Sequence, residues 1–158
     1  MTHVRFDHVG FTVADIDRAV AWYTRFLQSE PLAVRKGWDA GYSAEMIGYP
    51  GCVIDWAYFA LPGDARLELV RYVQPAGATV DMETFRIGNG HLCLTVDDLG
   101  AELDRLRDFA TLRTPTPVRI PTGPNAGGLG AYVRDPDGIT IQLMQAPAAG
   151  TAARAVAS

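Results

Sequence analysis

At 158 residues and 48% hydrophobic content, the chain has enough apolar material for one domain core of ordinary size. A formal net charge of -4, 20% charged residues and no Lys/Arg run remove the electrostatic case for nucleic acid or an anionic membrane, leaving a small molecule as the expected partner. Cys52 and Cys93 form no CxxC and no framework spacing, and no apolar run reaches the ~20 residues of a membrane span, so a soluble, cytoplasmic protein without disulfides is expected.

In chain order, the first element is a strand over "DHVGFTV", in which Val9, Phe11 and Val13 alternate with His8, Gly10 and Thr12. Asp15 follows as a helix N-cap, and Ile16, Val20, Tyr23 and Phe26 trace one buried helical stripe. The segment "GWDAGYSAEMIGYPG" reads as an inserted loop. Strands are then expected near 53–61 and 65–72, joined by the turn in "ALPGDAR".

The same order then begins again. "GHLCLTVDDL" places His91, Thr95, Val96 and Asp98 where the first copy has His8, Thr12, Val13 and Asp15, and Leu99, Leu103, Leu106 and Phe109 repeat the helical stripe. Further on, "PDGITIQLM" matches "PGDARLELV", with strands expected near 130–134 and 139–145. The reading is one α+β domain over 1–146, made of two modules at about 4–73 and 88–146, with a loose tail at 147–158. Each module runs strand, helix, three strands, and the two sheets are expected to curve around one cavity.

Strand alternation sets His8 and His91 on the faces opposite their apolar neighbours, and sets Glu68 and Gln142 opposite Leu67/Leu69 and Ile141/Leu143. Two imidazoles, a carboxylate and a carboxamide oxygen suit a borderline divalent ion such as Zn, Ni, Co, Mn or Fe, and would leave positions open for two adjacent substrate oxygens. Without Gln142, the remaining two-histidine, one-carboxylate set is that of non-haem iron sites.

The stretches "HVGFTVADIDRAVAWYTRFL", "GYPG", "RLELVRY", "GHLCLTVDDLGAELDRL" and "YVRDPDGITIQLMQ" resemble, in this order, the vicinal oxygen chelate superfamily, which includes glyoxalase I, methylmalonyl-CoA epimerase, extradiol dioxygenases and antibiotic-binding resistance proteins. The resemblance implies paired βαβββ modules forming a cup-shaped mixed sheet, a homodimer, and metal ligands at His8, Glu68, His91 and Gln142. The last ligand position is usually glutamate in metal-dependent members, and this chain departs from that with Gln142. The implied activity is that of a metal-dependent lyase, isomerase or epimerase that moves a proton beside a carbonyl through a stabilised enediolate. A dioxygenase and a non-catalytic binder of an aromatic natural product are the alternatives on the same scaffold.

Glu68 is the expected proton carrier. Asp55, a carboxylate amid the apolar residues of "VIDWAYFAL", is a second catalytic candidate, with a sheet ion pair as its other reading. Glu45 is expected to be solvated and His3 to lie at the surface. Trp56, Tyr58 and Tyr49, with Trp38 and Tyr42 nearby, offer an apolar wall for substrate, while Cys93 either lines the cavity or is a small buried hydrophobe. "PTGPNAGGLG" lacks a lysine and a following helix, so it is expected to be a flexible loop beside the site and not a phosphate loop.

Overall fold

The computed structural model describes residues 3–39 and 41–148, which fall into two compact units divided between Val80 and Asp81. The tail expected at 147–158 lies, from residue 149 on, outside the described residues.

The first unit runs β1 (His8–Thr12), α1 (Ile16–Leu27), β2 (Ala33–Trp38), α2 (Gly41–Ile47), β3 (Val53–Ala60) and β4 (Arg66–Gln74), with the strands ordered β1-β4-β3-β2. β1 pairs parallel to β4, and the other neighbours are antiparallel. Helix α1 begins as its sequence requires: the Asp15 carboxylate accepts from Arg18 N at 3.0 Å, satisfying one of the amides that a helix start leaves unpaired. Its buried face is Ile16, Ala19, Trp22, Tyr23 and Phe26; Val20, expected in the stripe, is only half-buried because Ala19 and Trp22 turn inward beside it. Trp22 stacks on Phe26 at 4.9 Å between ring centres, and Tyr23 reaches Phe59 of β3 at 6.3 Å. Leu67, Leu69, Ala57 and Phe59 complete this core with no exposed surface. The hairpin between β3 and β4 turns on Gly63 (φ 74°) and Asp64 (φ 64°), two left-handed residues that match the twist of the strands.

The second unit repeats the plan with β5 (Leu92–Thr95), α3 (Leu99–Leu106), β6 (Thr111–Leu112), β7 (Val118–Arg119), β8 (Leu129–Arg134) and β9 (Thr140–Gln145), ordered β5-β9-β8-β6 with β7 also paired to β8. β5 is parallel to β9, as β1 is to β4. The Asp98 carboxylate caps α3 by accepting from Ala101 N at 3.0 Å. Leu99, Leu103 and Leu106 are buried against Val133, Ile141 and Leu143. The fold is therefore α+β, built of two βαβββ-like modules.

Three local expectations are corrected. The segment read as an inserted loop contains α2, tied to β2 where Trp38 Nε1 donates to Ser43 Oγ at 3.1 Å. Phe109 lies beyond α3: Leu106 O accepts from both Phe109 N and Ala110 N, and this turn ends the helix before the fourth stripe position. The glycine-rich loop is closed by its own hydrogen bonds, Gly127 N to Ile120 O at 2.8 Å and Gly128 N to Asn125 O at 3.0 Å. A side chain at Gly128 would place its Cβ 2.6 Å from Gln145 O, so that position has no room for any residue but glycine.

Candidate functional site

In the first unit the parallel register sets Gly10 against Glu68, two residues on from His8 and on the same face of β1. A Cβ on Gly10 would lie 3.2 Å from Glu68 Oε2, so the glycine leaves the carboxylate its room. His8 Nε2 stands 3.5 Å from that oxygen, and Nδ1 of the same ring contacts Asp7 Oδ1 at 2.7 Å. The contacts from His8 and from the Arg66 guanidinium hold the Asp7 carboxyl below the usual carboxylate range. An imidazole held at Nδ1 by a carboxylate is oriented with Nε2 free to ligate, as metal-binding histidines commonly are. Tyr58 of β3 lies directly across from Glu68 and donates its hydroxyl to Oε1. Burial first, and this hydrogen bond second, push the Tyr58 phenol up to about 12, so it remains a donor at neutral pH. The His8 ring meets Tyr58 edge-on at 6.1 Å.

The second unit builds a matching pair. His91 Nε2 lies 3.0 Å from Gln142 Oε1, while Gln142 Nε2 donates to Met144 Sδ at 3.2 Å, so the amide presents its oxygen to the imidazole. Cys93 stands opposite Gln142 in the β5–β9 register and Tyr132 opposite it in the β8–β9 register, the places that Gly10 and Tyr58 hold around Glu68. Tyr132 meets His91 edge-on at 5.6 Å. Sequence reasoning missed Tyr132, although the spacing that carries Glu68 to Gln142 also carries Tyr58 to Tyr132. Cys93 is exposed, which corrects the buried reading, and partial desolvation pushes its thiol up.

Each unit thus assembles one imidazole, one side-chain oxygen and one tyrosine. Among the described residues no group of three or more His, Cys, Asp or Glu side chains is gathered as a metal site. The candidate donors come in two pairs, His8 with Glu68 and His91 with Gln142.

Asp55 does not join them. It points to the core face of β3 with Ala57 and Phe59, where it accepts from Gly37 N at 2.8 Å and pairs with Arg71 Nη1 at 3.0 Å, its side chain 6% exposed. Gly37 is itself left-handed (φ 61°), at the irregularity in β2, so the Asp55 carboxylate pins a bulge. The sheet ion pair, its other reading, is present in the structure. Trp56 lies on Tyr58's face, 5.3 Å from it, and continues to Trp38 at 6.3 Å. Tyr49 is exposed against Tyr72 at 6.2 Å, Glu45 is exposed on α2, and His3 is exposed. The second unit also holds a pocket of about 270 Å³ beside Gln142 and Tyr132, walled by Val118, Ile120, Gly130 and Met144. None of the described helices is long and apolar enough to cross a membrane.

A lactoylglutathione lyase of Salmonella typhimurium is 28% identical over 155 residues, covering 93% of this chain and 96% of that protein. A 2-epi-5-epi-valiolone epimerase of an Actinomyces species is 29% identical over 149 residues, covering 92% of this chain and 81% of that protein. Among solved structures, a glyoxalase family protein of Bacillus cereus shares the fold at a TM-score of 0.71 and 19% identity, covering 93% of this chain and 97% of that one. A family model matches residues 5–143, and with it the two repeated modules find their place: the chain belongs to the Glyoxalase/Bleomycin resistance protein/Dioxygenase superfamily.

Proposed function

We propose that the protein is a metal-dependent lyase, isomerase or epimerase that takes two vicinal oxygens of a small organic substrate and moves a proton on the carbon beside a carbonyl. His8 and Glu68, with His91 and Gln142, supply two nitrogens and two oxygens to one divalent ion of the Zn, Ni, Co, Mn or Fe(II) group. The observation that carries this is the repeated pairing of Nε2 with a side-chain oxygen, at 3.5 Å in one unit and 3.0 Å in the other. Neighbouring ligands about 2.1 Å from a common ion stand roughly 3.0–3.4 Å apart, close to the spacing within each pair. When bound, the ion supplies Lewis-acid stabilisation of the charge that builds on the carbonyl oxygen as the proton leaves.

The remaining chemistry belongs to the chain. Glu68 is the one carboxylate among the four donors, and it acts as the proton carrier. Tyr58 holds Oε1 by its hydroxyl and so limits rotation of the carboxylate, which fixes where a proton can be received. Gln142 does not ionise, so the second unit orients and ligates without a proton to exchange. Opposite roles for the two units follow: one handles the proton, the other positions the substrate.

The experiment is metal analysis of chelator-stripped protein refilled with each ion in turn, combined with NMR of solvent deuterium entering the carbon beside the carbonyl of a 2-hydroxy ketone. One ion per chain, lost in His91→Ala, together with deuterium exchange lost in Glu68→Gln, is the expected result. Wild-type protein that retains none of the five ions would overturn the reading.

A further inference from the structure

The two units keep one register, and one place where they differ lies at the pocket of the second. In the first, Trp56 stands across from Val70 on the face that carries Glu68; in the second, Gly130 stands across from Met144 on the face that carries Gln142. The spacing that relates Glu68 to Gln142 and Tyr58 to Tyr132 also relates Trp56 to Gly130. An added Cβ at Gly130 would meet Met144 Sδ at 3.3 Å and Ile120 Cδ1 at 3.8 Å, the inner wall of the pocket. Where the first unit has an indole, the second has no side chain at all, and the pocket borders that place. Glycine is not demanded there by the backbone, since Gly130 lies outside the left-handed region that Gly127 adopts at φ 87°.

The wall has no charged side chain. Its polar groups are Gln142, Tyr132 and Thr114, and the Thr114 hydroxyl is engaged by Tyr132 N at 3.1 Å. A charged substituent entering here would lose hydration with no counter-charge to replace it, whereas an apolar one would release water from Val118, Ile120 and Met144. At about 270 Å³ this solvent-open pocket has room for a single ring. We propose that this pocket, bordered by Gly130 where the first unit has Trp56, is the specificity subsite, and that it takes an uncharged ring or branched alkyl substituent of the substrate.

This rests on the proposed function in one respect only: the substituent belongs to the molecule whose oxygens the neighbouring donors hold. The substrate class it selects is a hydroxy ketone or thioester with a neutral, apolar tail next to its vicinal oxygens. The subsite's existence can be read without any ion, which separates the two questions.

The test follows the 13C-methyl signal of Met144, assigned by Met144→Leu, as benzyl alcohol and then benzoate are titrated into metal-free protein. Saturable movement with benzyl alcohol, at least tenfold weaker binding of benzoate, and about fourfold tighter binding per added methylene in short alkanols are expected. Gly130→Trp, which restores the first unit's side chain, should abolish the response with the fold intact by far-UV circular dichroism; Gly130→Val serves if the indole prevents folding. An unmoved Met144 signal, equal binding of benzoate, or full binding by the filled variant overturns the subsite. If the pocket fails while the ion still binds, only the subsite falls; if the ion fails while benzyl alcohol binds, the function falls and the pocket stands.

Discussion

Replacing Asp55 by alanine separates its structural from its catalytic reading. The carboxylate makes two hydrogen bonds, one to Gly37 N and one to the Arg71 guanidinium. Their loss should cost about 2 kcal/mol, taking ~1 for the neutral donor and somewhat more for the charged one. The cost stays modest because neither former partner is trapped: Gly37 is exposed, and the Arg71 side chain is 43% exposed, so water reaches both. Arg71→Ala is the harsher change. It leaves a carboxylate that is 6% exposed with Gly37 N as the bonded partner that remains, and should destabilise by about 2–3 kcal/mol, discounted from the full price of a stranded charge by that surviving bond. The double variant should fall short of the sum by about 1 kcal/mol, the signature of direct coupling. Urea unfolding followed by tryptophan fluorescence reports on this unit specifically, because Trp22, Trp38 and Trp56 all lie in it. A loss of ~2 kcal/mol moves the urea midpoint by about 1 M at a slope of ~2 kcal/mol/M. Metal content and solvent exchange per folded molecule should remain at wild-type levels. Undiminished stability together with a hundredfold loss of exchange would refute the reasoning and return Asp55 to the list of bases.

Asp15→Ala and Asp98→Ala should each cost about 1 kcal/mol, and unfolding by circular dichroism should show losses of similar size, since both caps accept one amide at 3.0 Å. The Tyr58 phenol, raised from 10.0 to about 12, binds its proton more tightly in the folded than in the unfolded chain. Its contribution is complete below pH 10 and lost as pH rises through about 12, so stability should fall across that window and fall less in Tyr58→Phe; ultraviolet titration of phenolate absorbance should show the late-ionising group directly.

What the sequence revealed was what has a period or a local cause. Alternation placed His8, Glu68, His91 and Gln142 on the faces opposite the core, and the aspartate caps fixed the starts of α1 and α3. Helix α2 escaped because seven residues beginning with glycine carry no cap and little pattern; it is set by the Trp38 to Ser43 hydrogen bond, a tertiary contact. The end of α3 escaped because the apolar spacing continues past Leu106 while the backbone turns. Asp55 was conspicuous, but its meaning depended on parity: it shares a face with Ala57 and Phe59, not with Trp56 and Tyr58. The pocket was invisible for a related reason, since a glycine announces itself in sequence as a turn and here marks missing bulk within a strand.

The donor pairs join the opening and closing strands of their units, β1 with β4 and β5 with β9. Neither pair exists until the intervening helix and hairpin have brought distant chain together, so ligand geometry is among the long-range consequences of folding, absent from any nascent fragment. If the proposed ion binds these pairs, it reinforces the seams whose formation demands the greatest loss of chain entropy, stabilising closure itself through mass action.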